Sequence, residues 1–225
     1  VAARGRFVTF EGGEGAGKST QVRRLADALR AAGLPVRLTR EPGGSPGAEE
    51  IRGLLVSGET GRWDALTEAL LHSAARRDHL MRTVLPALDA GEWVLSDRFA
   101  DSTMAYQGYG HGLGREAADT LYGLVAGPFR PDLTLILDVP VVIGLARAAG
   151  RAASGGAAPG GGAAGGAAED RYERMGPAFH ERLREGFLDI ARREPERCAL
   201  IDAARDADAV AADVLSAVRA RLGRP

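Results

Sequence analysis

Short apolar runs alternate along this chain with longer stretches in which apolar positions recur every three to four residues. Residues 6–11, 35–40, 93–97, 133–138 and 197–202 each read as a strand. Residues 18–32 read as a helix with Val22, Leu25, Ala26 and Leu29 on one face, and helical patterns cover 48–56, 65–90 and 206–222. Brief strands that are apolar throughout, with helices between them, predict a parallel sheet covered on both faces. Residues 152–168 break the pattern, since they contain only Ala, Gly, Ser154 and Pro159. Such a run has no large apolar side chain to bury and cannot offset its ordering entropy, so a flexible loop is expected. An interdomain linker fits less well, because 169–225 is short for a core of its own and supplies a strand to the first sheet.

Length and charge narrow the picture. A chain of 225 residues suits a single α/β domain over 1–225. A formal net charge of -1 argues against a nucleic acid polymer as partner, while leaving room for a local basic site that holds a nucleotide. The one cysteine, Cys198, sits in an apolar run and reads as a buried strand residue, which points to a reducing, cytoplasmic setting. No apolar run is long enough to suggest membrane contact.

The first chemistry appears at Gly12-Gly13-Glu14-Gly15-Ala16-Gly17-Lys18-Ser19, which matches G-x-x-x-x-G-K-[ST] between a predicted strand and a predicted helix. Glycines let successive backbone N–H groups converge on phosphate oxygens, and the helix N-terminus adds a field that favours anions. Lys18 supplies a point charge for the β- and γ-phosphates, and the Ser19 hydroxyl is a ligand for Mg²⁺. The motif predicts triphosphate binding, yet a GTPase, an ATPase or a small-molecule kinase could each carry it.

Three further clusters narrow the choice: Thr39-Arg40-Glu41-Pro42-Gly43-Gly44, Ser96-Asp97-Arg98-Phe99, and 101–108 with Thr103 and Gln107. The first two lie at strand C-termini, which share one edge of a parallel sheet where ligands bind. The ordered set of these pieces with 10–19, Glu50-Ile51-Arg52, Ala74-Ala75-Arg76, Ala105-Tyr106-Gln107-Gly108 and Asp170-Arg171-Tyr172-Glu173 resembles bacterial thymidylate kinases along nearly the whole chain. The resemblance implies a P-loop NTP hydrolase-like three-layer fold: a five-stranded parallel sheet in order 2-3-1-4-5, flanked by helices, with a lid. It also implies ATP and Mg²⁺, transfer of the γ-phosphate to dTMP and a homodimer. By the same resemblance Arg98 grips the dTMP phosphate with Arg52 nearby, and Arg76 and Gln107 meet the thymine edge beside Thr103. Glu14 meets the sugar 3′-OH, and Asp97 lies near Mg²⁺ and the acceptor phosphate.

The chain departs from the family pattern in two places. His72, four residues before Arg76 and so on the same helix face, stands where many members carry a phenylalanine stacked on thymine; imidazole is flat but buries less apolar area. The 152–168 run lengthens the lid, at a closure cost that grows only logarithmically. No arginine lies between Gly12 and Lys18, so the cation that stabilises phosphoryl transfer is expected from the lid. Arg151 is the favoured residue, Arg171 its rival, and Arg147 is expected to border adenine. His79 and His180 read as surface or packing residues, and His111 is given no role. A deoxynucleoside kinase and an inert nucleotide-binding module of a longer protein are the alternatives; the Arg52/Arg98 pair favours a phosphorylated acceptor over a nucleoside.

Overall fold

The structure, a computed structural model, describes residues 4–153, 171–172 and 174–223. Strands β1 (Phe7–Glu11), β2 (Val36–Arg40), β3 (Trp93–Asp97), β4 (Leu133–Asp138) and β5 (Cys198–Asp202) form one parallel sheet in the order β2-β3-β1-β4-β5, as expected. Three strands start one residue later than their apolar pattern. The carbonyls of Arg6, Pro35 and Arg197 still accept the first bonds, from Val94, Trp93 and Thr134 at 2.8, 2.8 and 2.7 Å.

The register matters for function. Phe10 and Arg40 both lie level with Asp97, Glu11 with Ile136, and Asp138 with Asp202, so the charged C-terminal residues of all five strands share one edge. Alternation sorts the rest of each strand between two faces. Val8, Phe10, Leu95, Leu133 and Leu135 pack against Leu25 and Leu29 of α1 (Lys18–Ala31) and Val214 and Val218 of α9 (Ala207–Leu222). On the opposite face Phe7 and Val94 meet Leu80, Val84 and Leu88, while Ile136 and Cys198 meet Phe179, Phe187 and Ile190 of α8 (Pro177–Arg193). Burial holds the Cys198 thiol up at about 12, as an inert core residue. Truncating one of these side chains, Leu29→Ala for instance, costs about 2–5 kcal/mol.

The remaining α-helices join these elements. They are α2 (Pro46–Val56), α3 (Ala65–His79), α4 (Leu85–Asp89), α5 (Ala100–Thr103), α6 (Arg115–Ala126) and α7 (Val141–Ala153). Residues 65–90 read as one helix, but α3 passes into a π-helical stretch, Leu80–Val84, before α4. Pro86 explains the break: it has no N–H for the carbonyl four residues back, and its ring crowds that carbonyl. Helix α7 takes in residues 152 and 153, so the run expected to be loop from 152 begins inside a helix; 154–170, including Asp170, lie outside the described residues.

Candidate active site

The phosphate loop is held by close packing. A Cβ on Gly12 (φ 133°) would lie 2.4 Å from the Leu137 carbonyl oxygen, and one on Gly15 (φ 69°) only 1.9 Å from that of Gly144. The loop is thus wedged between the end of β4 and the start of α7, and only glycine fits at these two points. At α1, which begins with Lys18, no side chain caps the N-terminus and no acid stands in the first turn, so its N–H groups remain to receive an anion. Lys18 Nζ donates to the carbonyls of Gly12 (3.0 Å) and Gly13 (2.8 Å). Burial and the charge of Arg98 lower its pKa to about 8. The Ser19 hydroxyl donates to Asp97 across the loop. Two hard oxygen donors side by side, next to a phosphate cradle, fit Mg²⁺, which takes one or two protein oxygens and completes its shell with phosphate and water.

Beside this loop stands Arg98, in the left-handed region at φ 69°, which non-glycine residues enter rarely. Its N–H donates to the Phe10 carbonyl at 2.9 Å, and its own carbonyl accepts from Ser96 Oγ at 2.7 Å, so both strands fix the turn. The guanidinium donates to Glu14 (2.9 Å), the Gly12 carbonyl (3.2 Å) and Ser102 Oγ (3.1 Å), and lies over the Tyr106 ring at 4.9 Å. Burial works against ionising Glu14, but the charges of Arg98 and Lys18 and the Tyr106 hydroxyl hold its pKa at about 2. Glu11, at the end of β1, accepts from the Phe99 N–H (2.7 Å) and Ser102 Oγ (2.6 Å); burial and the neighbouring Asp101 raise it to about 8. Arg52 stands on α2 and donates to the Pro42 carbonyl at 2.8 Å, after a cis Glu41–Pro42 bond.

A third group converges from α3 and the π-helical stretch Met104–Gly110 that follows α5. Arg76 is only 2% exposed, so it is no solvated helix charge. It donates to Glu41 (2.9 Å), Thr103 Oγ1 (2.8 Å) and the Phe99 carbonyl (3.3 Å). Glu41 also meets His79 Nδ1 at 2.9 Å, and His79 Nε2 bonds Thr39 at 2.6 Å; His79 is a buried packing residue. One turn before Arg76, His72 bonds the Tyr172 hydroxyl at 3.0 Å. Burial and the surrounding arginines push its pKa down to about 3, so the ring is neutral. Gln107 is fully buried, with its amide nitrogen 2.6 Å from Glu68 and its amide oxygen without a partner among the described residues.

The cradle, the pinned arginine and the buried polar group thus adjoin one another, joined by the Arg98–Glu14 bond and by the bond from Arg76 to the Phe99 carbonyl. The family model described as Thymidylate kinase matches residues 10–214. The chain belongs to the thymidylate kinase family. It is 56% identical to a thymidylate kinase of Caulobacter vibrioides, over 97% of this chain and 98% of the relative. Identity to one of Ruegeria pomeroyi is 52%, covering 100% and 99%. In three dimensions it is similar to the crystal structure of a thymidylate kinase from Ehrlichia chaffeensis, with a TM-score of 0.73 and 32% identity over 96% of this chain and 99% of that one. Membership of the thymidylate kinase family makes the chain a phosphotransferase of the nucleoside monophosphate kinase type.

The candidate lid arginines part company in the structure. Helix α7 starts against the thymidylate kinase phosphate loop, since a Cβ on Gly144 would lie 2.4 Å from the Glu14 carbonyl. Arg147, one turn on, donates to the carbonyls of Ala203 (2.7 Å) and Ala204 (2.9 Å) after β5. Arg151 is exposed a further turn along, about 10 Å down the axis from Gly144. Among the described residues Arg171 bonds to no atom of the phosphate loop. It is 2% exposed and donates to the carbonyls of Leu55, Glu59 and Thr60 at 3.0, 3.0 and 3.1 Å, and it pairs with Glu68. Four carboxylates of the site receive no role from the sequence: Glu11 and Glu41, which lie within the matching clusters, and Glu68 and Asp138, the last gripped by Arg184 of α8 at 2.7 and 2.9 Å beside the phosphate loop. Glu68 had a signal, because Glu68, His72 and Arg76 stand at i, i+4 and i+8 on one helix face.

Proposed function

We propose that this chain is an ATP- and Mg²⁺-dependent thymidylate kinase that transfers the γ-phosphate of ATP to dTMP, giving dTDP and ADP on the route to dTTP. The observation that carries the reading is the placement of Arg98: a second fixed cation, tied by the Gly12 carbonyl and Glu14 to the phosphate loop itself. A planar guanidinium there, with Arg52 of α2, suits a dianionic acceptor phosphate beside the donor. The Gly12, Gly13, Gly15, Ala16 and Gly17 backbone with Lys18 would hold the ATP phosphates, and Arg147 would border adenine. Ser19 and Asp97 would hold Mg²⁺, which would supply charge neutralisation for the transferred phosphate.

On the acceptor side, Glu14 stays ionised and accepts from the sugar 3′-OH. Arg76 and Gln107 read the thymine edge beside Thr103, and the neutral His72 ring lies against the base. Arg151, near the end of α7, stabilises the migrating group. Arg171 serves the structure rather than the reaction, because its donors are taken by carbonyls and Glu68. The chain works as one domain, in the cytoplasm and as a homodimer; Leu66 and Leu70 on α3 and Leu124 on α6 leave apolar surface that a second copy would cover. The test is an ADP-release assay with ATP, Mg²⁺ and dTMP, dUMP, dCMP, dGMP, AMP or thymidine. Turnover highest with dTMP and absent with thymidine is the expected result; faster turnover of thymidine would identify a nucleoside kinase, and turnover of none an inert module.

A further inference from the structure

Helix α3 buries an acid that the phosphoryl-transfer reading does not use. Glu68 is 1% exposed, and four side chains face its carboxylate, three of them on one oxygen. The Gln107 amide nitrogen lies at 2.6 Å, the Tyr172 hydroxyl at 3.0 Å and His111 Nε2 at 3.6 Å, and Arg171 forms an ion pair with its second oxygen. A carboxylate facing a guanidinium offers acceptors only. Gln107 must therefore turn its NH₂ toward Glu68, which settles which end of the amide points the other way. That end, Oε1, is buried and has no partner among the described residues. A buried acceptor left unpaired is unfavourable, and a ligand that donates a hydrogen bond would satisfy it.

We propose that Glu68 is a positioning residue for base selection: by holding the Gln107 amide nitrogen, it presents Oε1 as a fixed acceptor to the N3–H of the acceptor base. Thymine and uracil carry that proton. Cytosine carries a lone pair at N3, which would face the lone pairs of Oε1. The inference rests on the reading that dTMP is the acceptor and that Gln107 faces its base. It adds a second check to the one at Arg76, and a link in the chain. Arg171 and Tyr172 are tied to the same carboxylate, so the acid joins these two residues to the base reader.

The competing explanation is that Glu68 only neutralises Arg171, and specificity ratios separate the two. In Glu68→Gln the amide at 68 can donate or accept, so the Gln107 amide is free to turn over and satisfy cytosine. The ratio of kcat/KM for dTMP over dCMP should then fall about tenfold or more, the range one mispaired buried group commands. The ratio for dTMP over dUMP should not change, because both bases carry N3–H. Gln107→Met should lower the dTMP over dCMP ratio by a similar factor, and adding Glu68→Gln to it should lower the ratio no further. Equal losses of kcat/KM for dTMP and dCMP in Glu68→Gln, or an effect that persists undiminished in the Gln107→Met background, overturn the proposal. Should Glu68→Gln not fold, Gln107→Met alone still decides, since an unchanged ratio there leaves nothing for Glu68 to position. A wild-type protein that shows no preference for dTMP over dCMP overturns the substrate reading and the proposal with it. A wild-type preference that Glu68→Gln leaves intact overturns the proposal alone.

Discussion

Replacing Arg171 by alanine separates a structural arginine from a catalytic one. The side chain is 2% exposed and gives three hydrogen bonds to carbonyls at the end of α2 and just beyond it, those of Leu55, Glu59 and Thr60. It is also the cation facing Glu68, itself 1% exposed. Removing it strands a buried carboxylate and three carbonyls together. Loss of one partner of a buried pair costs about 3–5 kcal/mol, a large share of the roughly 5–15 kcal/mol that holds a domain together. At about 2–4 °C per kcal/mol for a chain of this size, the melting temperature should fall by roughly 6–20 °C. The assay is a thermal melt of wild type and Arg171→Ala under the same buffer, with turnover measured well below both midpoints at saturating ATP and dTMP. The reasoning predicts a large drop in melting temperature and a kcat within about tenfold of wild type. A variant that melts like wild type but loses turnover by orders of magnitude would refute it, and would return Arg171 to the role of catalytic cation.

Lys18→Met should change the melting temperature far less than Arg171→Ala, because its hydrogen bonds among the described residues go to two loop carbonyls, and should lower turnover at least about a thousandfold; near-normal turnover would count against the phosphate-loop assignment. Arg151→Ala should lower kcat by orders of magnitude with little change in dTMP affinity, whereas shortening 152–168 to a few glycines should change kcat far less, since closure entropy varies by about 0.6 kcal/mol per doubling of length. The opposite pattern would make the insertion a functional element. His72 is held neutral with a pKa of about 3, so stability tied to it is complete above pH 6.5 and is lost as the unfolded chain takes up a proton below that value. Between pH 7.5 and pH 5 that loss is up to about 2 kcal/mol, and urea denaturation should show His72→Phe to be less acid-sensitive by that amount; identical acid sensitivity would contradict the burial argument.

The sheet was legible because strand burial writes itself into sequence as short apolar runs, and the phosphate loop because its glycines answer a local steric demand, as the 2.4 and 1.9 Å approaches at Gly12 and Gly15 demonstrate. Arg98 and Asp97 were legible by position, at the end of a strand beside the loop. What stayed hidden depends on contacts between residues far apart in the chain. Helical periodicity over 65–90 does not reveal that Pro86 forces a π-helical step. Glu41 and His79 lie 38 residues apart, and only the folded chain closes their bond around Arg76. Arg171 looked like a lid cation because it follows the Gly/Ala run, yet its partners lie more than 100 residues away, on α3 and around the end of α2. Charge alone cannot tell an arginine that waits for phosphate from one already spent on carbonyls.

The central claim is that one phosphoryl group moves from ATP onto the phosphate of dTMP. It is tested most directly by incubating the purified chain with ATP, Mg²⁺ and dTMP and resolving the nucleotides by ion-exchange chromatography. The account predicts dTDP and ADP formed in equal amounts, with no dTDP when dTMP is omitted. ADP released with inorganic phosphate and no dTDP would contradict it.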